Sequence, residues 1–149
     1  MNKRTTRIIL LVLFILYLLI LFRITVFREG WYDHGFFSGI VVWVPFQTIF
    51  GFLKNGYTRY FIYLFFGNIL WFVPFGAYLR LRGTAAWKAI ALTAALSVLI
   101  ETLQFVFGCG WTETEDVILN TTGGAIGCAL AAGYRKLRKR NSQKKSCLS

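Results

Sequence analysis

Apolar residues gather in four long blocks, 8–27, 60–79, 89–107 and 117–134, and these separate Lys and Arg clusters that sit almost wholly on alternate sides of them. No block alternates polar and apolar residues with the period of two that a half-buried strand shows. Each block is long enough to cross a hydrocarbon layer of roughly 30 Å as a helix, since about 20 residues at about 1.5 Å rise suffice. Backbone polar groups in lipid must be paired within the segment, which a helix achieves and an open strand does not. The pattern predicts an all-α, polytopic membrane protein with four transmembrane helices in a single membrane domain over 1–149.

The charges orient that arrangement. Lys3, Arg4 and Arg7 precede the first block, and Arg80, Arg82 and Lys88 fill the connection between the second and third. Arg135, Lys136, Arg138, Lys139, Arg140, Lys144 and Lys145 follow the fourth. Cytoplasmic connections are enriched in Lys and Arg, so both termini are expected in the cytoplasm of a multi-pass cell-membrane protein. Hydrophobic residues make up 56% of the chain and aromatic ones 18%, more than 149 residues could bury in water. A net charge of +11 invites a nucleic-acid reading. The basic residues sit directly beside the spans, however, where they set topology and meet anionic headgroups, so no nucleic-acid partner is expected.

The first block exceeds the roughly 7–15 apolar residues of a cleaved signal, and no small-x-small cleavage site follows, so it is expected to remain as a helix. Cys109, Cys128 and Cys147 fall in an outer loop, a span and the basic tail. No two share a compartment, which argues against a disulfide framework or a thiolate metal site.

The connection 28–59 is long and predicted to lie outside. Within it, 40–53 is apolar but too short to span and carries Pro45, Gln47 and Gly51, as an interfacial or re-entrant segment would. A segment resting on the membrane surface is preferred, because no run of small residues allows a hairpin to pack closely. Trp31, Tyr32, Trp43 and Phe46 are residue types that settle at headgroup depth. Asp33 and His34 are expected to be solvated rather than chemical.

Polar side chains inside spans carry the most weight, because lipid penalises them. The second block holds Asn68 and Pro74, the third Glu101 and Gln104, and the fourth Asn120 with Gly123, Gly124 and Gly127, entered through Glu113, Glu115 and Asp116. Pro74 lacks an amide donor and predicts a kink and a freed carbonyl near Leu70. Glu101 and Gln104 lie about 60° apart on one helix face. Glu101 falls roughly 9 Å and Asn68 roughly 12 Å below the outer ends of their spans. Asp116, Asn120 and Arg23 share that outer half. Gly123-x-x-x-Gly127, continued by Ala131, reads as a close-packing seam, within one chain or between two. Asn68, Gln104 and Asn120 serve either as interhelical hydrogen bonds or as site lining. Arg23 is expected to pair with Glu101 or Asp116.

Asn68 through Pro74-Phe75-Gly76, then Glu101-x-x-Gln104, then Asp116-x-x-x-Asn120-x-x-Gly123-Gly124-x-x-Gly127 resemble, in order and spacing, the motifs of the VanZ-like family. The likeness covers about 61–130, and Val44-Pro45-Phe46-x-x-Ile49 is similar to that family's Pro-Phe element in the first outer loop. The resemblance implies a small four-span bacterial membrane protein related to one associated with resistance to the glycopeptide teicoplanin. Gly110 stands where many members carry Arg, and Glu113 and Glu115 replace some of their Asp positions. Asp116 and Asn120 are therefore the firmer carry-over.

Three functions compete. The preferred one is binding of a lipidated glycopeptide or a lipid-linked wall precursor in an outward-facing polar groove of Asn68, Glu101, Gln104, Asp116 and Asn120, with Trp43 and Phe46 meeting acyl chains. The rival is an enzyme using Glu101 and Asp116 as general acid and base, although no HExxH, nucleophile elbow or phosphate-cradling loop is present. A proton-coupled exporter is third. Glu113, Glu115 and Asp116 lack the spaced ligands of a calcium loop, so neither metal nor cofactor is expected.

Overall fold

The computed structural model describes residues 2–27 and 35–146; Trp31, Tyr32, Asp33, His34 and Cys147 lie outside them. Four helices take up the four apolar blocks: α1 (Lys3–Val26), α3 (Thr58–Leu81), α4 (Ala86–Phe107) and α5 (Thr114–Ser146). All four are long and apolar enough to cross a membrane. The short helix α2 (Gln47–Lys54) and two three-residue strands, β1 (Ile40–Val42) and β2 (Trp111–Glu113), are the other elements among the described residues.

The first three long helices follow the sequence pattern to within a few residues, and α5 departs from it. It begins at Thr114, before the expected 117, because Glu115 and Asp116 in its first turn complement the positive end of the helix dipole. It also runs past 134 through the basic tail. Lys, Arg and Leu are good helix formers, and no Pro or Gly interrupts the chain after Gly133.

Polarity is arranged for lipid. On α4, Thr93, Ser97, Glu101 and Gln104 are buried while Leu92, Val98 and Leu99 are exposed. On α1, apolar side chains from Ile8 to Ile20 are exposed almost all round. In water these surfaces would drive aggregation; in a bilayer the acyl chains cover them.

The chain divides into two compact units, with α4 contributing its halves to different ones. One unit comprises Met1–Trp43 and Val98–Glu113. Here β1 and β2 pair in parallel, with Ile40 opposite Trp111 and Val42 opposite Glu113. Strands this short leave no periodicity, so the sequence pattern does not reveal them. The chain entering β1 is tied to the end of α4 by Phe37 N–H to Val106 O at 2.9 Å and Gly39 N–H to Phe105 O at 3.2 Å. Gly39 permits this approach, since a Cβ there would stand 2.5 Å from Phe105 Cα.

The other unit comprises Val44–Ser97 and Thr114–Ser149. Its core is the pairing of α3 with α5, made close by glycine on both sides. A Cβ on Gly123 would strike the Ile69 carbonyl, one on Gly127 the Val73 carbonyl, and one on Gly76 the Gly124 carbonyl. The glycine seam thus packs within one chain. Helix α2 rests on α3 through ring contacts, Phe50 with Phe61 at 6.4 Å and Phe52 with Tyr60 at 5.6 Å.

Candidate functional site

The five polar residues singled out from the spans are all buried, but each is held by a neighbouring element. They fall into two groups, one in each unit.

In the first unit, Glu101 is 4% exposed and its Oε2 accepts the Glu113 backbone N–H at 2.8 Å. The Thr112 hydroxyl donates to the Glu101 carbonyl at 3.1 Å. A carboxylate this deep in a span is thus used to fasten β2 to α4, which offsets part of its desolvation. Gln104 stands one turn further along and donates from Nε2 to the Thr25 carbonyl at 3.1 Å, joining α4 to α1. Its Oε1 is buried without a hydrogen-bond partner. Arg23 does not pair as expected. Exposed on α1, it donates to the Phe27 carbonyl at 3.1 Å and caps the end of its own helix, where the dipole favours a cation.

Within the second unit, Asn68 Nδ2 donates to Asp116 Oδ1, linking α3 to the first turn of α5. One turn on, Asn120 Nδ2 donates to Ser97 Oγ on α4 at 2.8 Å, leaving its Oδ1 buried and unpaired. Pro74 lies inside α3 but is exposed, while its neighbours Val73 and Gly76 meet the glycine seam of α5. Asn68, Gln104 and Asn120 each make an interhelical hydrogen bond, one of the two roles left open for them.

Sequence reasoning undervalued Glu115. It is completely buried, and its Oε1 accepts the Ile49 backbone N–H at 3.1 Å, at the start of α2. Phe46, the residue before α2, adopts φ 64° and offers no side-chain cap. Glu115 therefore supplies from α5 the acceptor that the N-terminus of α2 lacks. The partners are 66 residues apart, so no local motif announces them. The Phe46 backbone, at the N-cap of α2, also hydrogen-bonds this carboxylate. Replacing Glu115 with Ala should free α2 at a cost of about 1–3 kcal/mol, whereas Glu115→Gln keeps an acceptor oxygen and much of the stability. Limited proteolysis checks this: faster cleavage within 47–57 in Glu115→Ala alone supports the cap, and equal cleavage in wild type refutes it.

A second overlooked signal was legible. Thr93, Ser97, Glu101 and Gln104 recur at four, four and three residues and form one buried stripe along α4. Thr93 satisfies its hydroxyl on the Ala89 carbonyl at 2.8 Å.

Cys109, between α4 and β2, is fully buried, and burial pushes its thiol above the usual range. Thiolate is the reactive form, so at neutral pH Cys109 should react with maleimide far more slowly than a free cysteine. In a variant lacking the other two cysteines, the rate should rise with pH or on unfolding. Labelling at the free-cysteine rate under native conditions would contradict this burial.

The VanZ/LLP1 family model matches residues 8–135. Protein VanZ of Enterococcus faecium is 36% identical over 80 residues, which cover 52% of this chain and 48% of that protein. The match thus spans about half the length of this relative. No solved structure matches the chain. Four apolar helices and the family match together describe a multi-pass protein embedded in the bilayer. With a model match over most of its length, the chain belongs to the VanZ/LLP1 family.

Proposed function

We propose that this protein contributes to resistance against glycopeptide antibiotics of the teicoplanin type by binding an amphipathic molecule at the outer leaflet. The ligand is a lipidated glycopeptide or a lipid-linked wall precursor. In this reading both termini are cytoplasmic, because the Lys and Arg clusters flank the ends of the spans opposite Glu101 and Asp116. One observation carries the proposal: Asn120 Oδ1, one turn from Asp116 in the second unit, is a buried acceptor without a hydrogen-bond partner. Such groups are costly unless something donates to them, and glycopeptides and lipid-linked sugars are rich in amide and hydroxyl donors. Exposed Trp43 and half-buried Phe46 supply apolar surface for an acyl chain.

The isosteric variants Asp116→Asn and Glu101→Gln test this well. Each keeps an oxygen to accept from its partner, Asn68 Nδ2 or Glu113 N–H, while removing the charge. Either variant should lower resistance in a susceptible host while the protein stays in the membrane at wild-type level. Wild-type resistance in both would remove these carboxylates from the function. Incubation with labelled lipid-linked precursor separates the enzyme reading, which requires turnover, from the binding reading, which requires saturable retention alone.

A further inference from the structure

At the other end of the second unit, α3 ends in a turn whose charges have no counter-ion among the described residues of that unit. Arg80 donates from Nη1 to the Thr84 carbonyl at 3.1 Å, and its Nε is buried without a partner. Arg135, on α5, donates from Nη1 to the Arg80 carbonyl at 3.2 Å, which brings a second guanidinium to the same turn. Each guanidinium has five N–H donors and spends one nitrogen on a carbonyl, so most of the donor capacity is left.

No side-chain carboxylate of this unit meets that demand. Its only acidic residues are Glu115 and Asp116, and Asp116 precedes Arg135 by 19 positions on the continuous helix α5, or roughly 28 Å. Half-buried Arg80 beside exposed Arg135, both with unfilled donors, calls for an anion from outside this unit. The surroundings indicate its source. Leu81, Tyr134 and Leu137 are exposed beside the two arginines. Exposed Trp87, with Lys88 Nζ over its ring at 5.4 Å, marks the level at which apolar core gives way to headgroups.

We propose that Arg80 and Arg135 form a binding site for the phosphodiester of an anionic phospholipid, with its acyl chains against Leu81 and Tyr134. Planar guanidinium forks suit phosphate oxygens, and the site is independent of the proposed ligand at the opposite ends of these helices. A lipid, unlike free phosphate, also uses the exposed apolar side chains.

Native mass spectrometry of the full chain released from phosphatidylcholine and phosphatidylglycerol mixtures tests it. The wild type should retain one phosphatidylglycerol, which millimolar inorganic phosphate does not displace. Arg135→Gln, at an exposed position outside the helix core, should lower that retention about tenfold, and Arg80→Gln should do the same if its thermal melt is kept. Arg140→Gln removes the same charge from another face of α5 and should change retention little. Equal loss in Arg140→Gln and Arg135→Gln would mean a diffuse charge effect and overturn the site. So would displacement by phosphate, or no retained phosphatidylglycerol in the wild type.

Discussion

Gly127→Val is expected to abolish the folded protein. At this position α5 lies so close to α3 that a Cβ would collide with the Val73 carbonyl and the Ala77 amide nitrogen, both backbone atoms with no side chain to swing away. The two helices must separate to admit even one methyl group, and the contacts along the seam at Gly76, Gly123 and Gly124 are lost with it. Overpacking of this kind costs about 3 kcal/mol, a large share of the roughly 5–15 kcal/mol by which proteins are stable. Fluorescence-detected size exclusion should show the monodisperse peak replaced by aggregate. Gly67 and Gly133 provide the control, because a Cβ at either meets nothing within 4 Å. Ala at those positions should be tolerated and should gain up to about 1 kcal/mol of helix propensity. A Gly127→Val protein with wild-type yield and melting temperature would refute the close approach.

The next largest effect is expected at Asn68. Asn68→Leu removes the donor to Asp116 Oδ1 and leaves a carboxylate that is 3% exposed without that bond. Hydrogen bonds to charged groups are worth about 1.5–3 kcal/mol, and a buried acceptor that loses its donor pays the desolvation as well. Thermal melts in detergent should therefore show Asn68→Leu well below wild type. In the double variant Asn68→Leu with Asp116→Leu, much of that loss should be recovered, since both polar partners are then replaced by apolar ones. Additive losses in this cycle would show that the two residues do not act as a pair.

Much of the fold was legible because lipid imposes a simple rule. Long apolar blocks must become helices, and α1, α3 and α4 follow them closely. The glycine seam was legible for a related reason, since small residues at four-residue spacing have few uses in a span other than close packing. What the pattern did not hold were features set by partners distant in sequence. β1 and β2 owe their pairing to the Glu101 carboxylate and the end of α4. Helix α2 owes its start to Glu115. Arg23 illustrates the opposite error: matched depth suggested an ion pair, but the nearer carbonyl at the end of its own helix satisfies it. Of the candidate site, the residue types and burial were readable. Their individual partners were not, because spacing gives the face of a helix and not the neighbour across it.

Direct binding of a fluorescent teicoplanin-type lipoglycopeptide to the purified chain in nanodiscs tests the functional claim most plainly. Wild type should bind saturably, and folded Asp116→Asn at least about tenfold more weakly. No saturable binding by the wild type, or equal affinity in the variant, would contradict it.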